Sequence, residues 1–263
     1  MGVIMGAFSL ASVLGIPLGL ELANLYGWHA PFFAVGGLSV VMLFVVVAAL
    51  PSMKEHMSGN EKRFLLDSFI HISNSPAQQL ALWFMFALVL GQFTVIPYLS
   101  QSFVMNGGLP ESQLSFIYLF GGMCSIVASP VVGRLADRFT KHMVFTISAM
   151  YSLILIFVIT HLGEHPVWIL IVVSSLFFIA MSGRMVPAMA LISSTARPKH
   201  RGGFMSVVSA VQQFSAAIAA YIAGSIIVEE NGHLIHFEMV GSIAIIFTLV
   251  AVILANRLPH GQQ

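Results

Sequence analysis

Arg184 is the one basic residue inside a long apolar run, the 27 residues from 167 to 193. Insertion of a guanidinium at a helix centre costs about 2.5–3.5 kcal/mol, so its place there needs a reason. Either it faces a cavity and binds a solute, or it snorkels along its apolar stem toward the inner interface, the nearer one. Gln92, Gln101, Gln212 and Gln213 are the other strong hydrogen-bonding side chains in apolar runs, and they either bind a solute or join helices. Gln92, Arg184, Gln212 and Gln213 are therefore the candidate cavity residues. His161-Leu162-Gly163-Glu164-His165 fits the inverted zinc-peptidase pattern H-x-x-E-H. That chemistry needs a helix with both histidines on one face, which Gly163 and Pro166 oppose. A zinc site or peptidase at 161–165, near His233, His236, Glu229 and Glu230, is thus a remote reading. Cys124, the sole cysteine, forms neither an intrachain disulfide nor a thiolate cage.

The elements that carry these residues follow from composition. Of 263 residues, 58% are hydrophobic and 8% are charged, against roughly 25% charged in a soluble domain. So few charges cannot skin a soluble globule, and lipid must be the solvent for most of the surface. That excludes a soluble enzyme, a nucleic-acid binder and a disordered regulator. The formal charge of +1 indicates no polyanionic partner.

A hydrocarbon core about 30 Å thick takes about 20 apolar residues to cross as a helix. Eight runs qualify, at roughly 3–25, 31–50, 80–104, 114–132, 143–162, 167–193, 203–228 and 237–255. The alternating ten-residue segments of a β-barrel are absent, so the fold class is an all-α multi-pass transmembrane bundle. The first run follows no basic leader and reads as a span, not a signal peptide. Ten of the eleven Lys and Arg residues lie in loops on one side, after the second, fourth, sixth and eighth runs. By the positive-inside rule that side is cytoplasmic, with both termini on it.

Residues 51–79 are the one polar stretch. Within it Phe64, Leu65, Phe69 and Ile72 fall near one helical face, as in an interfacial helix. The order of helix, outer loop and helix in residues 1–50 repeats that of the last two spans, offset by 204 positions. Transporters are often built from parallel six-span halves. The expected organisation is therefore 1–50 as the last two helices of an N-terminal half and 51–79 as a cytoplasmic linker. Residues 80–263 then make a complete six-helix C-terminal half.

The loop after the fourth span reads Gly133-Arg134-Leu135-Ala136-Asp137-Arg138-Phe139-Thr140-Lys141-His142. Asp137 near a helix start would complement its dipole. The basic residues would hold the loop at the inner face. This run resembles the major facilitator superfamily signature G-x-L-A-D-R-x-G-R-K at Gly133, Leu135, Ala136, Asp137 and Arg138. Thr140 and His142 depart from it. The resemblance implies that Gly133, Arg134, Asp137 and Arg138 belong to a loop that gates alternating access.

In the first span small residues recur at Ala7, Ala11, Gly15, Gly19 and Ala23, a stripe for close helix packing. Gly15, Pro17 and Gly19, with Gly6 and Gly27-Trp28, resemble the glycine-proline signature of drug:proton antiporter-type facilitators. The Gly-Pro spacing is shortened, and a kinked, close-packed helix needs the same residues. Arg184 to Ala188, with Arg201 to Met205, resembles that group's Arg-bearing fourth-helix motif, here at the tenth of twelve positions. Pro187 and Ala188 replace its usual Gln and Gly.

The resemblance covers nearly the whole chain. It implies secondary transport in the plasma or inner membrane, by efflux of a drug-like molecule, sugar or metabolite in exchange for protons, with no cofactor. Asp, Glu and His are absent from the depth of every span, so a proton-carrying group would lie in four further helices of a missing N-terminal half. The alternative is a truncated chain that does not transport alone, either inert or acting as a membrane-embedded partner.

Overall fold

In lipid a backbone amide finds no partner outside its own helix, so each long apolar run becomes one. The computed structural model describes residues 15, 17–49, 75–196 and 200–259. Residues 17–26 form α1. Gly27, at φ +86°, turns the chain in a left-handed conformation open to glycine, and α2 follows at Ala30–Ala49. After Ser75 come α3 (Pro76–Phe93) and α4 (Leu99–Met105), then α5 (Leu114–Arg138) and α6 (Lys141–Thr160). The longest helix, α7, spans Val167–Ser194, and α8 and α9 span Arg201–Ile226 and Phe237–Arg257. Seven segments among the described residues are long and apolar enough to cross a membrane, α3 and α4 counting as one. They match seven of the eight expected spans. Part of the remaining one, the first run at 3–25, and the expected interfacial helix with Phe64, Leu65, Phe69 and Ile72 lie outside the described residues.

Three boundaries differ from expectation. The run 80–104 is not one helix: it breaks after Phe93 and resumes through a short 3-10 turn at Ile96–Tyr98. Pro97 explains this, because its ring collides with the carbonyl four residues back and donates no hydrogen bond. The stretch 133–142 is not a long loop either. Gly133 to Arg138 form the last turns of α5, and the turn itself is only Phe139 and Thr140. Thr140, not Asp137, caps α6, its hydroxyl accepting from Met143 N–H at 3.4 Å. Asp137 ends a helix, where the dipole favours Arg138 instead. Lastly, a hairpin of β1 (Val228–Glu230) and β2 (His233–Ile235) joins α8 to α9. Asn231 and Gly232, at φ +51° and +80°, supply the tight turn that antiparallel strands need.

Apart from the short α4, helices α3 to α9 pack as two matching triplets. In one, α7 lies between α5 and α6; in the other, α3 lies between α8 and α9. Helix α6 meets α9, and α3 meets α7. Exchanging α3 with α7, α5 with α8 and α6 with α9 leaves every neighbour relation intact. Successive spans reverse direction, so the two triplets run oppositely, an inverted repeat. Small residues set the closeness. A Cβ on Gly121 would strike Phe178, and one on Gly241 would strike Thr160.

Two apolar clusters fill this bundle. One gathers Phe84, Phe145, Ala188, Phe204 and Ala251 toward the end carrying the α5–α6 turn. The other gathers Phe103, Ile156, Phe177, Phe237 and Ala244 toward the hairpin end. By contrast α2 buries no residue, and Phe32, Phe33 and Phe44 stand exposed on it.

Candidate functional site

A polar layer separates the two apolar clusters. On α6, Ser152 falls between Ala149 of one cluster and Leu155 of the other. On α7, Arg184 falls between Ala188 and Met181, and on α9 Thr248 falls between Ala251 and Ala244. All three polar side chains are buried, and Arg184 has 0% exposure. Its Nη1 donates to Thr248 Oγ1 at 3.1 Å and to Ser152 Oγ at 3.3 Å. Both hydroxyls are oriented for this, since each gives its own proton to a carbonyl of its helix, Ala149 at 2.7 Å and Ala244 at 2.8 Å. Gly91 brings α3 onto the same layer. A Cβ there would sit 2.7 Å from Thr248 Oγ1 and 3.0 Å from Ala244 O.

Arg184 therefore does not snorkel; its head stays at mid-bundle, tying α6, α7 and α9 together. The arrangement is incomplete. Nε and Nη2 have no hydrogen-bond partner among the described residues. A buried donor left unpaired costs about 1–3 kcal/mol, so this guanidinium is held with donors to spare.

The candidate glutamines are not gathered around it by any hydrogen bond. Gln92 is half-buried on α3, and its Oε1 is another buried atom without a partner among the described residues. Gln212 is half-buried and Gln213 exposed on α8, while Gln101 is exposed on α4. A feature that single-residue reading missed is the company Gln213 keeps. The exposed side of α8 carries Ser206, Ser209, Gln213 and Ala217, polar or small at helical spacing, together with the aromatic Phe214 and Tyr221. The exposed side of α6 carries Met143, Ile147, Met150, Ile154 and Phe157. The signal was present in the run of Ser, Ala and Gln that makes α8 the least hydropathic of the seven spans.

At the α5–α6 turn, Arg134, Asp137 and Arg138 are exposed, and Arg138 lies 5.8 Å from the centre of the Phe139 ring. Gly133 packs toward α7, where an added Cβ would lie 3.9 Å from Val186 Cγ1. Across the next turn on this side, Arg201 Nη2 donates to Ser193 Oγ at 3.0 Å. For Gly15 and Gly19, an added Cβ would meet nothing within 4 Å, so no described helix lies close on that stripe. Pro17 is half-buried in α1.

The hairpin end holds a cavity of about 450 Å³ lined by Asn106, Thr160, His161, Glu164, His233 and Glu238. Asn106 clasps the hairpin like a strand edge, donating to Leu234 O at 2.9 Å and accepting from Leu234 N–H at 2.8 Å. Residues 161–166 are not helical, so the peptidase pattern lacks the helix it requires. No group of three metal-ligating side chains comes together among the described residues.

These features have counterparts in known proteins. The family model of the Major Facilitator Superfamily matches residues 81–261. An uncharacterized MFS-type transporter, YbcL of Bacillus subtilis, is 27% identical over 258 residues, covering 96% of this chain and 62% of that protein. The chain thus spans less than two thirds of that relative's length. The crystal structure of the MFS transporter FucP in the outward conformation superposes with a TM-score of 0.64 at 15% identity. It covers 92% of this chain and 58% of that one, and it shares the fold. With its membrane-spanning bundle matched by the family model over most of its length, the chain belongs to the Major Facilitator Superfamily.

Proposed function

We propose that this chain forms part of a secondary transporter that exports a small organic solute in exchange for protons, with the exposed side of α8 as one wall of the path. The observation that carries this is the polar stripe of Ser206, Ser209 and Gln213, with Ala217 and Tyr221. Lipid would penalise such a face, whereas a water-filled path requires one. Gln212 and Gln92 flank the same path in this reading, and the α5–α6 turn with Gly133, Arg134, Asp137 and Arg138 gates it. Residues 1–50 act as the end of an N-terminal half, 51–79 as the linker and 80–263 as the second half. The basic loops lie in the cytoplasm with both termini, in the cell membrane.

Export is tested in proteoliposomes loaded with a fluorescent solute under an imposed pH gradient. Gradient-dependent loss of dye from liposomes carrying the chain, and not from empty ones, supports the reading; equal loss overturns it. The α8 stripe has no described helix against it, which favours a second reading: a chain that works only beside a partner bundle. Transport by the purified chain alone would eliminate that alternative.

A further inference from the structure

We propose that Arg184 is a small-anion site at the middle of the bundle, its ligand a carboxylate or a halide held on the side-on edge of the guanidinium. The geometry of the donors carries this. Both protein acceptors, Ser152 Oγ and Thr248 Oγ1, bond to Nη1. The donors left over, Nε and Nη2, are not scattered; they form one edge of the planar group, the fork that takes a carboxylate bidentately. They are buried, and the side chain as a whole has 0% exposure.

Charge points the same way. Neutral hydroxyls satisfy hydrogen bonds but leave the cation uncompensated. Among the described residues the acids are Glu21, Glu111, Asp137, Glu164, Glu229, Glu230 and Glu238. Glu111 precedes α5, Asp137 is in its last turn, and Glu238 is in the first turn of α9. Glu164 is in the α6–α7 connection, Glu229 and Glu230 are in the hairpin, and Glu21 is exposed on α1. None stands in the mid-height layer with Ser152 and Thr248. A fixed cation between two apolar clusters, with its carboxylate-binding edge unused, is complementary to a mobile anion. Burial makes such a pair strong, because the surrounding dielectric is low.

Helix α3 packs against the same layer. Gly91 lets α3 settle directly on Thr248, so the α3–α9 seam closes over one of the hydroxyls that holds Arg184. Anion binding itself stands apart from the transport reading. Its carboxylate form deepens that reading, by making the exported solute an organic acid.

The test uses the full purified chain in detergent. A bulky sulfonate buffer anion is exchanged for chloride or for acetate at constant ionic strength and pH, and Tm is followed. A saturable rise of about 5 °C is expected with at least one of the two. A rise with chloride alone identifies a halide site. A rise with acetate identifies a carboxylate site, and in that case Arg184→Lys, which keeps the charge but loses the fork, weakens the acetate response at least tenfold. Arg184→Met abolishes either response. A wild-type Tm indifferent to both anions overturns the proposal and needs no variant to fold. A response that survives in Arg184→Met overturns it equally. Loss of dye export with the anion response intact would remove the transport reading and leave this site standing.

Discussion

Helices α6 and α8 both turn one side away from the bundle, and the two sides are unlike. That of α6 is Met143, Ile147, Met150, Ile154 and Phe157, with Tyr151; that of α8 is Ser206, Ser209, Gln213 and Ala217, with Phe214 and Tyr221. On the proposed function, equal exposure in the isolated chain conceals two different surroundings. Large apolar side chains at helical spacing suit hydrocarbon, and small or hydroxylic ones suit water or another helix. A second contrast lies inside. Arg184 is kept from both surroundings, although a charge is the costliest group to keep there. On the proposed function the bundle has a lipid side and a wet side, and among the described residues one buried charge, Arg184, lies between the two apolar clusters.

Charge substitution on the two faces sharpens this contrast with the largest effect. Ile154→Arg should cost on the order of 2.5–3.5 kcal/mol of insertion and cut the yield of folded protein in membranes several-fold. Gln213→Arg should leave the yield within a factor of two. Equal losses at the two positions would break the distinction.

The next effect concerns the buried layer. Thr248→Val removes one of the two acceptors of Arg184, and each lost partner of a buried charged donor costs about 1–3 kcal/mol. Its Tm should fall, while Arg184→Met in the same background should restore most of the loss, because no charge then remains to be satisfied. A thermal-shift double-mutant cycle checks this, and additive losses would refute it.

Gly91→Ala should be destabilising by about 1–3 kcal/mol, since the new methyl meets the Thr248 hydroxyl and the Ala244 carbonyl across the α3–α9 seam. Gly15→Ala, which meets nothing, should leave Tm unchanged. The smallest change expected in the amount of folded protein is at the α5–α6 turn. Asp137→Asn should leave insertion intact and alter transport kinetics; unchanged uptake would remove its proposed gating role.

Much of this architecture was legible beforehand, because lipid enforces helices wherever an apolar run is long enough. Hydropathy therefore located α2 and the six spans carried by α3 to α9 within a few residues, save for the last six residues of α5. It could not see the break at Pro97, since apolar residues continue through it. Nor could it see that Asp137 closes α5, because polar residues read equally well as loop or helix end. The hairpin was signalled by Asn231-Gly232 and overlooked among stronger membrane signals. At the site, the residue types were legible and their facing was not. Arg184 was visible as an anomaly, but its partners lie 32 and 64 residues away in sequence, and only the fold brings them together.

The central claim, that the exposed side of α8 meets water while that of α6 meets lipid, is tested most directly by thiol labelling in membranes. With Cys124→Ser as background, Gln213→Cys and Ile154→Cys are exposed to a membrane-impermeant maleimide. Labelling at position 213 at least tenfold faster than at position 154 is predicted. Equal rates, or protection of position 213 alone, would contradict it.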